Sequence, residues 1–402
     1  MSLLRRPCAA SFITSLLIAA AVGLFVAPSS ALAAASSGSP GVYVPAATLV
    51  TMDGAVVYSK NPDKSRRIAS CTKMLTALVV RDKVSLDTVI RVSSKAAEVD
   101  DGAIGLKTGQ KYTVRQLLGV MLVHSANGAA EALATAVGGN EKKFVAMMYA
   151  KARSLGLKRT HPADPHGLSP HGYSTAADQS VIARHLMNDP VLRAIVSERT
   201  ARLPRGAFST TNRLLGSYSG IEGVKTGYTD PAGYCFVGAA KRNGVELIGV
   251  VLGASSGGDR FTQMRRLLDW GFAHSEQQRL VSKDQTMGVV AVSNGAEPTV
   301  TVHAAKVIAL TVFDGCRQTT QVSLPPSVSA PIKAGQRLGA VQISRNGTVV
   351  ASVPLVADQS VGALSAMQLF QGAGSGAQPA GGKSLWSQIA AVMSGFGRLL
   401  GI

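Results

Sequence analysis

Hydrophobic and polar positions divide the chain into segments of different texture. Residues 11–27 form an apolar run behind Arg5 and Arg6, followed by Ala31-Leu32-Ala33, the small residues a signal peptidase needs. Residues 1–33 therefore read as an export signal. After a small-residue linker, "YVPAATLVTMDGAVVYSKNPDK" holds two β-rich runs around Asp53-Gly54, a hairpin signal. From residue 69 to about 188 the pattern turns helical. Thr113 and Gln116 are spaced for a capping box ahead of "LLGVMLV", and residues 129–137 and 141–154 are further helices. Past Leu203 the strands return in "IEGVKTGY", "GYCFVGAAKR" and "VELIGVVLG", and residues 261–272 make a last amphipathic helix. Strands at both ends with helices between predict an α/β (α+β) domain over residues 41–275. Its antiparallel sheet is drawn from both ends of the segment and covered by helices.

Residues 285–371 differ: short β runs such as "TVTVHAAKVIALTVFDG" and "TVVASVPLVA" alternate with Gly and Pro turns, predicting a small all-β domain. Residues 372–384 are a Gly-rich linker. In residues 385–402, Leu385, Trp386, Ile389, Val392, Met393, Phe396, Leu399 and Leu400 recur at helical spacing. At about 1.5 Å per residue such a helix is too short to be a convincing span, so it reads as an amphipathic helix lying in a membrane interface, with docking on its own protein as the alternative.

Composition narrows the class. A chain of 402 residues that is 46% hydrophobic and 16% charged is globular rather than disordered. Its four cysteines make no disulfide framework, since Cys8 lies in the signal and leaves an odd three. Removing the two signal arginines lowers the formal charge from +18 to +16. An exported protein seldom meets nucleic acid, so this excess points to an anionic partner of another kind, membrane headgroups or an acidic wall polymer, with a solvated basic surface that has no specific partner as the plainer reading.

The chemistry centres on "IASCTKML". A serine hydroxyl becomes a nucleophile only with a base in reach, and Ser70 and Lys73 have the i, i+3 spacing that provides one. Cys71 is intrinsically the better nucleophile. On a helix, however, it lies about 160° from Lys73, whereas Ser70 lies about 60° away. Two further motifs accompany the pair. Ser-x-Asn occurs at Ser59-Lys60-Asn61, Ser125-Ala126-Asn127 and Ser344-Arg345-Asn346, and Lys-Thr-Gly at Lys107-Thr108-Gly109 and Lys225-Thr226-Gly227. Context selects among them. Ser125-Ala126-Asn127 ends an apolar helix, while the other two copies lie in turns of strand regions. Lys107-Thr108-Gly109 is a polar loop, while the second copy lies on a strand, where Lys225 and Gly227 face one side. A missing side chain at Gly227 would let a substrate backbone lie against it.

In that order the three motifs form the set of penicillin-binding proteins and serine β-lactamases. The chain resembles the D-alanyl-D-alanine carboxypeptidases, low-molecular-weight penicillin-binding proteins of peptidase family S11. Besides "ASCTK", "SAN" and "VKTGYT", the resemblance rests on "YSKNPDKSRRIAS", "DPHGLSPHGYSTAAD", "TNRLL", "PAGYCFV" and "DWGF", with the β-rich second domain and terminal amphipathic helix. It implies a serine β-lactamase/transpeptidase-like catalytic domain and an enzyme that removes the terminal D-alanine from peptidoglycan stem pentapeptides. Such an enzyme is acylated by β-lactams and uses no metal or other cofactor. Its expected place is the periplasmic face of the cytoplasmic membrane, with the outer face of a Gram-positive membrane as the alternative.

By motif position, Ser70 is the acylating nucleophile, Lys73 its proton acceptor, Ser125 a proton relay and Asn127 an orienting amide. Lys225 and Thr226 bind the substrate carboxylate beside Gly227. The N–H groups of Ser70 and Tyr228 form the oxyanion hole. Lys225 would disfavour the Lys73 ammonium by like-charge repulsion. His166 matches a family loop, with a structural turn histidine as the plainer reading. Two positions depart from the pattern: Asp164 stands where asparagine is expected, and His124 precedes Ser125. Arg260 is the candidate for a second carboxylate clamp. A class A β-lactamase would need a glutamate to activate water, and none lies between Lys142 and Ser197. A DD-endopeptidase would share the same acylation chemistry, and a non-catalytic wall-binding protein could share the fold without it.

Overall fold

A computed structural model describes residues 38–100 and 102–365. Its catalytic-side sheet has five strands in the order Val56–Lys60, Ala46–Thr51, Val245–Ala254, Gly233–Arg242 and Ile221–Thr229. All neighbours are antiparallel, and Ala46–Thr51 joins the N-terminal hairpin to the C-terminal strands with Leu49 opposite Gly249. The sheet is drawn from both ends of the segment, as the alternation of textures predicts.

Period-2 alternation sorts its side chains to two buried faces. Ile248, Val250 and Leu252 join the core under the helical region, while Leu247 and Val251 pack on the opposite side with Phe261, Met264, Leu267 and Leu268. The latter belong to the helix Asp259–Ala273. Gly249 lets that helix close in, since a Cβ there would lie 2.7 Å from the Met264 sulfur.

The helical stretch holds the expected capping box: Thr113 Oγ1 accepts from the Gln116 backbone while the Gln116 side chain accepts from Thr113 N–H. It is not wholly helical. A small hairpin pairs Val89–Arg91 with Lys111–Thr113, and Lys107-Thr108-Gly109 lies in its connection.

Ser275–Val281 is a strand that follows the Asp259–Ala273 helix directly and pairs with Ile308–Phe313. Its sequence, "SEQQRLV", is polar without alternation, so its strand character comes from the partner strand. A six-stranded sheet completes the second domain around a core that includes Val302, Val341, Ile343 and Leu355. Arg345, from the third Ser-x-Asn, is buried between the domains. It donates to Asp53 Oδ2 at 2.6 Å and to the Thr311 carbonyl at 2.8 Å, a structural use for that copy. The export signal, linker and terminal amphipathic helix lie outside the described residues. Among those described, no helix is long and apolar enough to cross a membrane, and Cys71, Cys235 and Cys316 are free thiols.

Candidate active site

Ser70 lies in a 3-10 turn, Ala69–Thr72, that runs into the helix Lys73–Lys83. In a 3-10 turn residues i and i+3 eclipse, and Lys73 Nζ reaches Ser70 Oγ at 2.8 Å. The turn is braced from outside: a Cβ on Gly167, whose φ is +88°, would overlap the Ala69 carbonyl.

Lys73 is fully buried, and its amine has two more partners, Asn127 Oδ1 at 2.7 Å and the His166 carbonyl at 2.9 Å. A neutral amine has two N–H groups and one lone pair. Asn127 Oδ1 and the His166 carbonyl are acceptors only, which leaves the lone pair for the Ser70 hydroxyl. Burial holds the amine well below the usual lysine range, Lys225 pushes the same way, and Asp164 opposes. The like-charge repulsion expected from Lys225 is present, but desolvation is the larger cause.

Asn127 is placed by a joint between helices. The helix Val114–Gly119 continues as a π-turn, Val120–His124. Ser125 then takes φ +72°, and Asn127 opens the next helix, Asn127–Gly138. The motif thus ends one helix and begins another. The left-handed residue redirects the chain between the two helices, and Asn127, two positions on, reaches Lys73. His124 is held by its ring, with Nδ1 2.9 Å from the Ser209 carbonyl.

Lys225, Thr226 and Gly227 lie on the edge strand Ile221–Thr229. Gly227 needs its missing side chain for a different reason from the one expected. A Cβ there would lie 2.7 Å from the Ile68 carbonyl and 3.1 Å from Ser70 N, so the space is taken by the nucleophile's own turn. Lys225 is buried, donates to the Thr226 carbonyl at 2.9 Å, and is pushed down to about 8 by burial, with Arg260 adding to the effect. Thr226 and Thr211 hydroxyls lie 2.6 Å apart. Arg260 donates to the Gly227 carbonyl at 3.2 Å. Cys71 is buried with its sulfur 3.8 Å from the Lys225 carbonyl, and burial pushes its thiol upward, away from thiolate chemistry.

His166 enters the site through its backbone carbonyl. Its buried ring has Nδ1 3.2 Å from Asp164 Oδ1, but without hydrogen-bond alignment, and burial lowers the ring's proton affinity. Asp164 organises the loop: its carboxylate accepts from His166 N–H at 2.8 Å and from the N–H groups of Gly167 and Ser169. In the sequence Asp164 stands out only as a departure, yet an Asp ahead of Pro-His-Gly is a legible turn signal. Thr211 lies inside "TNRLL" with no signal of its own. A cavity of about 110 Å³ opens between this loop, the nucleophile's turn and Thr229, with Arg67, Leu168 and Pro231 in its wall.

The model of the D-alanyl-D-alanine carboxypeptidase family matches residues 35–256, and that of the penicillin-binding protein 5 C-terminal domain matches residues 276–363. D-alanyl-D-alanine carboxypeptidase DacF of Bacillus subtilis is 32% identical over 330 residues, which is 78% of this chain and 85% of the relative. DacB2 of Mycobacterium tuberculosis is 38% identical over 246 residues, 58% of this chain and 84% of its own. Among solved structures, penicillin-binding protein 5 from Haemophilus influenzae superposes with a TM-score of 0.65 at 29% identity, covering 81% of this chain and 99% of that one. Penicillin-binding protein D2 from Listeria monocytogenes, in an ampicillin-bound form, gives 0.54 at 33% identity over 58% of this chain and all of its own. With both family models matched in order along the chain, this protein belongs to the D-alanyl-D-alanine carboxypeptidase family of low-molecular-weight penicillin-binding proteins.

Proposed function

We propose that this protein is a serine-type carboxypeptidase that removes the terminal D-alanine of peptidoglycan stem pentapeptides through an acyl-enzyme and is acylated by β-lactams. One observation carries the reading: a fully buried lysine amine is hydrogen-bonded to a serine hydroxyl and to two groups that only accept. Such an amine is a base, because burial disfavours its ammonium form.

Ser70 Oγ bonds to the carbonyl carbon of the penultimate residue as its proton passes to Lys73 Nζ. The N–H groups of Ser70 and Tyr228 take the oxyanion. On collapse the C–N bond breaks, a proton returned through Ser125 goes to the departing amine, and D-alanine leaves. Water then cleaves the ester, with Lys73 again taking the proton, and Ser70 is restored. Asn127 holds Lys73 and orients the substrate amide. Lys225 and Thr226 bind the terminal carboxylate, and Arg260, next to Gly227, adds positive charge there. The test is release of D-alanine from diacetyl-Lys-D-Ala-D-Ala by the purified protein, with Ser70→Ala as control. No release by the wild type would sink the reading.

We further infer that the protein is exported and sits peripherally on the periplasmic face of the cytoplasmic membrane. Residues 1–33 would serve as the signal, and residues 385–402 would lie in the membrane interface. The periodic apolar residues and the overall positive charge support this. Deleting residues 385–402 should free the protein from membrane vesicles; a truncated form that stays bound would count against it.

A further inference from the structure

The side chains of Tyr228 and Asp230, just beyond Lys225-Thr226-Gly227, have no part in the chemistry above. Tyr228 faces Tyr234 across the ladder, and their rings stack with centroids 4.2 Å apart at 23°. Arg260 backs this stack, its guanidinium 5.5 Å from the Tyr234 ring centre. The Tyr228 hydroxyl donates to Asp230 Oδ1 at 2.5 Å, a bond that pushes the phenol up to about 12. Tyr228 is nonetheless 47% exposed. Asp230 is exposed as well and forms no ion pair among the described residues. A flat aromatic ring and an unneutralised carboxylate therefore stand side by side.

Their position relative to the substrate follows from the sheet. Ile221–Thr229 is an edge strand, so its outer N–H and C=O groups are open to an added strand. A peptide whose terminal carboxylate sits at Lys225 and Thr226 and which pairs antiparallel must run back toward Thr229. At about 3.3 Å per residue, the third residue from its end comes level with Tyr228 to Asp230.

We propose that Tyr228 and Asp230 form a subsite for an alkylammonium side chain on the residue that precedes D-Ala-D-Ala, a lysine-like diamino acid. The ring covers the alkyl stem and presents its π face to the cation, and the carboxylate pairs with the ammonium. The cavity on the opposite side, beside Thr229, is lined by Arg67 and by Asp164, and the Asp164 carboxylate is already engaged by the N–H groups of His166, Gly167 and Ser169, so that wall offers no free anion to an ammonium group. Charge therefore sorts the side chain toward Asp230.

This inference rests on the carboxypeptidase reading, and one experiment separates the two. D-alanine release is compared for diacetyl-Lys-D-Ala-D-Ala, whose side-chain amine is capped, and Nα-acetyl-Lys-D-Ala-D-Ala, whose amine is free. The wild type should prefer the free amine by roughly three- to thirtyfold in kcat/KM, the combined scale of an exposed ion pair and a cation–π contact, and added salt should shrink the preference. Asp230→Asn should remove the ion-pair share and leave a preference of at most about two- to fivefold from the ring, with capped-peptide turnover and β-lactam acylation within about twofold of wild type. Asp230→Lys should reverse it. Failure to cleave either peptide overturns the carboxypeptidase reading itself. Equal cleavage of both by wild type, or a full preference retained by Asp230→Asn, overturns the subsite.

Discussion

Replacing Gly227 by alanine tests how tightly the nucleophile's turn is set against the edge strand. The added Cβ would stand 2.7 Å from the Ile68 carbonyl, 3.1 Å from Ser70 N and 3.2 Å from Cys71 N, all backbone atoms that no rotamer change can move aside. Restoring an ordinary 3.4 Å contact requires the turn and strand to separate by roughly 0.7 Å. That shift carries Ser70 N and Tyr228 N apart, the two donors that must meet one oxyanion. Misplacement on the order of 1 Å costs about 100-fold in rate, so acylation by a fluorescent penicillin should slow by roughly that factor. Stability should suffer less. Overpacking costs about 1–3 kcal/mol, but alanine is favoured over glycine in a strand by about 0.5–1 kcal/mol. The protein should therefore remain folded, with Tm lowered by at most about 10 °C at 2–4 °C per kcal/mol. Gly206→Ala, where a Cβ meets nothing within 4 Å, is the control. Acylation by Gly227→Ala within about threefold of wild type would refute the reasoning. An unchanged Tm with slow acylation would instead favour the idea that the glycine clears space for substrate.

Other changes probe the remaining parts. Ser70→Ala should abolish β-lactam acylation while Cys71→Ala retains it, read by mass spectrometry of the adduct; the reverse would overturn the assignment of nucleophile. Lys225 titrates at about 8 because its ammonium is buried, so raising the pH through that value removes the charge that holds the substrate carboxylate. Peptide kcat/KM should fall above about pH 8 with a one-proton slope, and a flat profile to pH 10 would contradict this. Asp164→Asn keeps an acceptor for the His166 N–H but sets an amide nitrogen against the Ser169 N–H. Leaving that donor unpaired should cost about 1–3 kcal/mol, measured by thermal melting. The loss of negative charge should also move the acid limb of the acylation–pH profile to lower pH, since Asp164 favours the Lys73 ammonium.

Much of this molecule is legible in one dimension because its signals are local. The Thr113–Gln116 capping box needs only a turn of helix to form, and it forms as spaced. The alternation in "VELIGVVLG" and the apolar run around Leu49 mark strands buried on both faces. Ser70 and Lys73 are three residues apart, so their contact follows from helical geometry alone.

What sequence could not supply are the distances between elements. "SEQQRLV" carries no strand pattern and becomes a strand because Ile308–Phe313 lies beside it. Gly227 is small because Ile68 and Ser70 press on it, neighbours more than 150 positions away that strand periodicity does not reveal. His166 matters through its carbonyl, and a backbone atom leaves no trace in residue identity. The order and spacing of the three motifs were written in the chain; the burial of Lys73 was not. That burial, which turns an ammonium into a base, depends on the packing of the Lys73–Lys83 helix, the Asn127–Gly138 helix and the Asp164 loop around one amine. Desolvation is a property of everything surrounding a group, and only the tertiary structure sets it.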